Sequence, residues 1–288
     1  MTDHLPETEN WVKSTQIDRR HALIGGVAIA GYALAAQPVE AAIQTAADGL
    51  DAGMISFPAS GGLTMNAYRA RPKGKGNLPV IIVVQEIFGV HEWIRDICRR
   101  LAKAGYYAIA PDYYQRQGDA TKVADIGTLF TTIVAKVPDA QVMADTDAAL
   151  AFAARDGGSG TRFGITGFCW GGRITWLYAA HNPRLKAGVA WYGRLAGPGN
   201  PLTPKQPIEL IPAMRAPVLG LYGALDKGIP VADVDKMNAA LKQAHKPSAL
   251  IAYPQADHGF LADYRPSYNE AAAKDGWAKA LAYFKKYV

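Results

Sequence analysis

The sequence predicts an α/β fold, a mostly parallel central sheet with helices on both faces, in one domain over residues 52–288. Three observations lead there. Short apolar runs rich in β-branched residues alternate with stretches of helical periodicity. Several of these runs are apolar throughout, as strands covered on both faces are. No internal repeat or linker interrupts the region, and its length allows one large core.

Met54–Phe57 and Leu63–Arg69 read as extended segments around the turn Ser60-Gly61-Gly62, with Leu63, Met65 and Ala67 alternating. Pro79–Val84 is the first strand with the pattern of burial on both faces. A helix through Ile94, Ile97, Cys98 and Leu101 follows and stops at Gly105. Tyr106–Ala110 forms the next strand and ends at Pro111. Val123, Ile126, Phe130, Ile133 and Val134 share one helical face, and Met143, Leu150 and Phe152 lie on a second helix after Pro138. Arg162–Thr166, Ala187–Trp191, Pro217–Tyr222 and Ala249–Tyr253 supply further strands, and Asn269–Tyr287 a closing helix. Gly193–Pro217 is rich in Pro and Gly and has little periodicity. Such a long loop is expected at the carboxyl edge of the sheet, where α/β folds bind ligands.

Apolar residues make up 49% of the chain and charged ones 19%, which excludes wholesale disorder. The net charge of +6 is unevenly placed: residues 1–41 hold three basic and five acidic side chains, leaving 28 basic against 20 acidic beyond them. These charges are scattered and form no basic stripe interleaved with aromatics, so they point to solubility and away from nucleic acid. Two cysteines cannot frame a disulfide scaffold, and no Cys/His cluster has zinc-ligand spacing. His91-Glu92-Trp93-Ile94-Arg95 lacks the second histidine of a metalloprotease helix.

The uncharged run Ala22–Ala36 is 15 residues long and too short to cross a bilayer as a helix, which takes about 20. It follows Arg19-Arg20 and precedes small residues near Ala41, the layout of a twin-arginine export signal over residues 1–41. Ala22 stands where Phe is common, and the leading region is more acidic than a general secretory signal. The alternative, an amino-terminal helix of a cytoplasmic protein, is opposed by the run's lack of a polar face. Export is the expected localisation.

The sharpest chemical signal is Gly167-Phe168-Cys169-Trp170-Gly171-Gly172, between a strand and a helix. G-x-C-x-G in that context corresponds to a nucleophile elbow with cysteine in place of serine. The turn lifts the sulfur above the sheet and aims a helix amino terminus at it, which favours anionic sulfur. Cys98, on an apolar helix face, has no such surroundings. A nucleophilic thiol needs a base, and the base an orienting acid. Asp226 follows the strand Pro217–Tyr222 and His258 follows Ala249–Tyr253, so both sit at carboxyl ends of strands in the order nucleophile, acid, histidine. Asp257 and Asp233 are rival carboxylates, though Asp233 falls inside the next helix. His91 is a rival base, but lies among the early strands.

Over residues 52–288 the chain resembles the dienelactone hydrolase family (carboxymethylenebutenolidase) of the α/β-hydrolases. The motifs are Gln85-Glu86-Ile87-Phe88-Gly89, Pro111-Asp112-Tyr113-Tyr114-Gln115-Arg116-Gln117, the Gly167–Gly172 elbow and His258-Gly259-Phe260. The resemblance implies ester hydrolysis of dienelactone to maleylacetate by a Cys-His-Asp triad, with no metal or cofactor. It implies Cys169 as nucleophile, His258 as base and then acid, and Asp226 as orienting carboxylate. It further implies an oxyanion hole from the backbone N–H groups of Ile87 and Trp170, Glu86 beside the thiol, and Arg116 receiving a substrate carboxylate. A second carboxylate-binding arginine is often found soon after the family histidine; here Arg265 comes later. The partner is therefore a small ester or lactone carrying a carboxylate. A general carboxylesterase or thioesterase, or a non-catalytic ligand-binding relative, are the alternative readings.

Overall fold

The computed structural model describes residues 43–288; the leader expected over residues 1–41 lies outside them. The eight strands of one sheet run in the order β1-β2-β4-β3-β5-β6-β7-β8. They are β1 (Leu50–Pro58), β2 (Thr64–Pro72), β3 (Leu78–Val84), β4 (Tyr107–Pro111), β5 (Gly158–Phe168), β6 (Ala187–Trp191), β7 (Val218–Gly223) and β8 (Ala249–Tyr253). β1, β2 and β4 pair antiparallel, and every pair from β4 through β3 to β8 is parallel. The helices between them are α1 (Glu92–Lys103), α2 (Ile126–Thr132), α3 (Asp139–Arg155), α4 (Trp170–His181), α5 (Val231–Gln243) and α6 (Glu270–Tyr287). The fold class is the one the sequence predicts.

Parallel strands need helical crossovers, which cover both faces and split the core in two. One cluster joins α3, α4 and α5 to the sheet through Val80, Ile82, Ile165 and Trp176. The other joins α1 and α6 through Ile81, Val83, Trp93, Ile97 and Phe284, and it includes Cys169 and Tyr192. Chain reversals follow the parallel strands, so their carboxyl ends gather the loops that carry the chemistry.

The region expected as a helix from Val123 to Val134 is shorter. The Asp125 side chain accepts the Thr128 N–H (2.7 Å) and starts α2 at Ile126. Past Thr132 the chain tightens into a 3-10 turn at Val134–Lys136. β5 is longer than expected, because Gly158 pairs with Leu78 before a register shift. The long loop after β6 carries a 3-10 helix at Pro207–Ala213. Arg173 holds that loop to α4: its guanidinium donates to Asp139 (2.7 Å), Gln206 (2.9 Å) and the Lys205 carbonyl (2.8 Å).

Candidate active site

β5 becomes α4 across a single residue. Cys169 adopts φ 56° and ψ −112°, a left-handed conformation that a side chain rarely tolerates. Packing holds it there. A side chain on Gly171 would collide with the Val84 and Gln85 carbonyls, and one on Gly172 with the Trp191 carbonyl. The Cys169 N–H donates to Trp191 (3.0 Å), fixing the turn to the neighbouring strand. The thiol is buried, 2% exposed, at the amino terminus of α4. The first turn of a helix leaves N–H groups without intrahelical acceptors, and the Trp170 N–H is the first of them.

Asp226 and His258 are brought together by two loops bonded to each other. Ala224 N–H donates to Tyr253, and Leu225 N–H to Ala256, both at 2.9 Å. One Asp226 oxygen accepts the N–H groups of Gly228 (2.8 Å) and Ile229 (3.1 Å); the other accepts from Nδ1 of His258 at 2.7 Å. A carboxylate only accepts, so Nδ1 carries a proton. His258 lies within hydrogen-bond reach of the Cys169 thiol. Burial disfavours its charged form, but an anionic Cys169 sulfur and Asp226 outweigh burial and push His258 up to about 10, which favours the imidazolium formed when the thiol gives up its proton. The rivals have other partners. Asp257 is exposed and accepts the backbone N–H of His258 (2.6 Å), Asp233 faces Lys236 (3.8 Å), and His91 lies 3.4 Å from Glu86.

Glu86, just past β3, is fully buried. Its carboxylate accepts the hydroxyl of Tyr264 (2.7 Å) and Nη2 of Arg265 (3.0 Å). Burial alone would raise its pKa, but Arg265, His91 and Tyr264 together hold it down at about 2. Arg265 is itself 2% exposed, with its guanidinium 5.3 Å from the ring centres of both Phe88 and Tyr264. It returns to the site through consecutive turns, Ala262 N–H to Gly259 and Arg265 N–H to Ala262. Glu86 therefore pairs with Arg265, and Arg173 is committed to Asp139.

Arg116, expected to receive a substrate carboxylate, has its partners within the protein. Its terminal nitrogens are engaged by both oxygens of the fully buried Asp145 and by the Ser60 carbonyl and hydroxyl. These contacts tie the loop after β4 to the β1–β2 turn and to α3. Neither Asp112 nor Asp119 is its partner. Arg116→Ala strands a buried carboxylate, and we expect it to cost about 3 kcal/mol of stability. Turnover should fall equally for neutral and anionic esters; a loss confined to anionic esters would return Arg116 to substrate binding.

Ile87 is buried (3% exposed) beside Glu86, on the β3 side of the elbow. Among the described residues no three His, Cys, Asp or Glu side chains group as a metal would require. No described helix is long and apolar enough to cross a membrane. Sequence reasoning missed Tyr264, the second partner of Glu86, and Tyr192, whose ring packs against His258 with centroids 5.1 Å apart. The available signal for Tyr192 was its place directly after the strand Ala187–Trp191.

The Dienelactone hydrolase family matches residues 65–288. A Methylorubrum extorquens protein named "Putative carboxymethylenebutenolidase" is 52% identical over 290 residues, covering 100% of this chain and 99% of its own. A protein of the same name from Escherichia coli K12 is 56% identical over 259 residues, covering 89% of this chain and 95% of its own. The crystal structure titled "Putative Dienelactone Hydrolase" from Klebsiella pneumoniae subsp. pneumoniae superimposes with a TM-score of 0.81 at 58% identity. It covers 83% of this chain and 99% of its own. Matched by the family over residues 65–288 and more than half identical to these relatives over most of its length, the chain belongs to the dienelactone hydrolase family and is an α/β-hydrolase.

Proposed function

We propose that the protein hydrolyses a carboxylic ester or lactone through a thioester on Cys169, with an anionic, dienelactone-like substrate opened to a maleylacetate-like acid. The observation that carries this reading is the alignment of Cys169, His258 and Asp226 at the ends of β5, β8 and β7, with Asp226 fixing the imidazole at 2.7 Å. His258 takes the thiol proton, and the sulfur attacks the carbonyl carbon. The oxyanion is received by the N–H groups of Trp170 and Ile87. Collapse breaks the carbon–oxygen ester bond, and His258 returns its proton to the departing alkoxide. In a lactone that alkoxide stays on the acyl chain, so the ring opens. Water deprotonated by His258 then releases the acid and restores the thiol.

Arg265 stands beside this centre and offers a cation to a substrate carboxylate. A substrate carboxylate that engages Arg265 competes with Glu86 and loosens its contact. An ester and lactone panel, each compound with and without a carboxylate, tests the assignment. Preference for anionic lactones is expected; indifference to charge would favour a general esterase, and no turnover a ligand-binding role.

We also propose export through a twin-arginine pathway. Expressed at full length in a bacterium with that pathway, the protein should be found outside the cytoplasm with an amino terminus near Ala41. An intact amino terminus in the cytosol would contradict this.

A further inference from the structure

Next to Cys169 stands a second non-glycine residue with a positive φ. β5 and β6 run parallel with Phe168 opposite Trp191, so Cys169 and Tyr192 are where the two neighbouring strands leave the sheet. Their φ angles are 56° and 36°, costly for a cysteine and more so for a tyrosine. The Tyr192 N–H donates to Leu221 at 2.9 Å, which holds the turn from the far side. The ring is fully buried and packs edge-on against His258 and Phe260, with centroids 5.1 and 5.5 Å apart.

The hydroxyl of Tyr192 has no hydrogen-bond partner among the described residues. A buried donor left unsatisfied is unfavourable, and phenylalanine would fill the same space without that cost. The charged and titratable groups around it are Glu86, Arg265, Tyr264 and Cys169, with His258 against the ring. Glu86 already receives Tyr264 and Arg265, so the acceptor that changes during reaction is the sulfur. Burial, with Glu86 nearby, raises the phenol well above its ordinary value, so it keeps its proton and can donate.

We propose that the Tyr192 hydroxyl donates a hydrogen bond to the Cys169 sulfur once the thiol proton has passed to His258, making Tyr192 a catalytic residue that stabilises the thiolate. The S–H bond breaks, an N–H bond forms on the imidazole, and the phenol keeps its own proton throughout. The inference rests on the reading of Cys169 as nucleophile, and its test is independent of ester turnover.

The test is the pH dependence of iodoacetamide alkylation at Cys169, followed by peptide mass, in a Cys98→Ala background. Tyr192→Phe should move the midpoint up by about one pH unit and slow alkylation at neutral pH about tenfold, with the melting temperature unchanged. Placing 3,5-difluorotyrosine at position 192 strengthens the donor and should move the midpoint down; it keeps the test decisive if the phenylalanine variant misfolds. Profiles that superimpose on the parent's, with a reactive Cys169, overturn the role of Tyr192 and leave the nucleophile standing. An unreactive Cys169 in the folded parent overturns both.

Discussion

Cys169→Ala should lower kcat/KM for every ester substrate by about 10⁴-fold or more, because a nucleophile, its base and its acid act as a unit. The fold should survive. Alanine has a Cβ like cysteine, so it adds no strain at φ 56°, and the lost sulfur leaves only a small gap at a site 2% exposed. An unchanged melting temperature with abolished turnover is the expected pair of results. Activity within about tenfold of the parent would exclude Cys169 as nucleophile.

Glu86→Gln should have the second-largest effect, on stability and on thiol reactivity together. The variant leaves Arg265, 2% exposed, without its counter-charge. Breaking a buried pair from one side costs about 3–5 kcal/mol. The loss depends on pH in a defined direction. The folded-state value of about 2 lies below the ordinary 4.5, so the ionised carboxylate stabilises the fold fully above about 4.5. That contribution fades as pH falls from 4.5 toward 2, and the gap between parent and variant, measured by denaturant unfolding, should narrow over the same range. Removing an anion beside the elbow while leaving a cation should also speed alkylation of Cys169 at neutral pH. An unchanged or slower alkylation would exclude Glu86 as a restraint on the thiol.

What could be read from the sequence is what neighbouring residues encode. The strands Ala187–Trp191 and Ala249–Tyr253 have their expected limits because each is a short apolar run bounded by turn-forming residues. The elbow was legible because three glycines and a cysteine fall within six residues, Gly167–Gly172, where the backbones pass closely. Asp226 and His258 were legible because each lies in the loop just past its strand, β7 ending at Gly223 and β8 at Tyr253. What escaped depends on pairs distant in sequence. Arg116 meets Asp145, 29 residues on, and Glu86 meets Arg265, 179 residues on. Either arginine read alone serves equally as a substrate clamp or as half of a buried ion pair. Only the tertiary packing supplies the partners, Asp145 for Arg116 and Glu86 for Arg265. The helix expected at Val123 starts later because its apolar spacing competes with the Asp125 cap, and the cap prevails.

The central claim is that the acyl group passes through Cys169, and acid-quenched turnover of an activated p-nitrophenyl ester tests it most directly. During the burst of p-nitrophenolate, mass analysis of the quenched protein should find the acyl group on the peptide containing Cys169, and Cys169→Ala should show neither burst nor adduct. A full burst with Cys169 unmodified, or with the acyl group on another residue, would contradict the account.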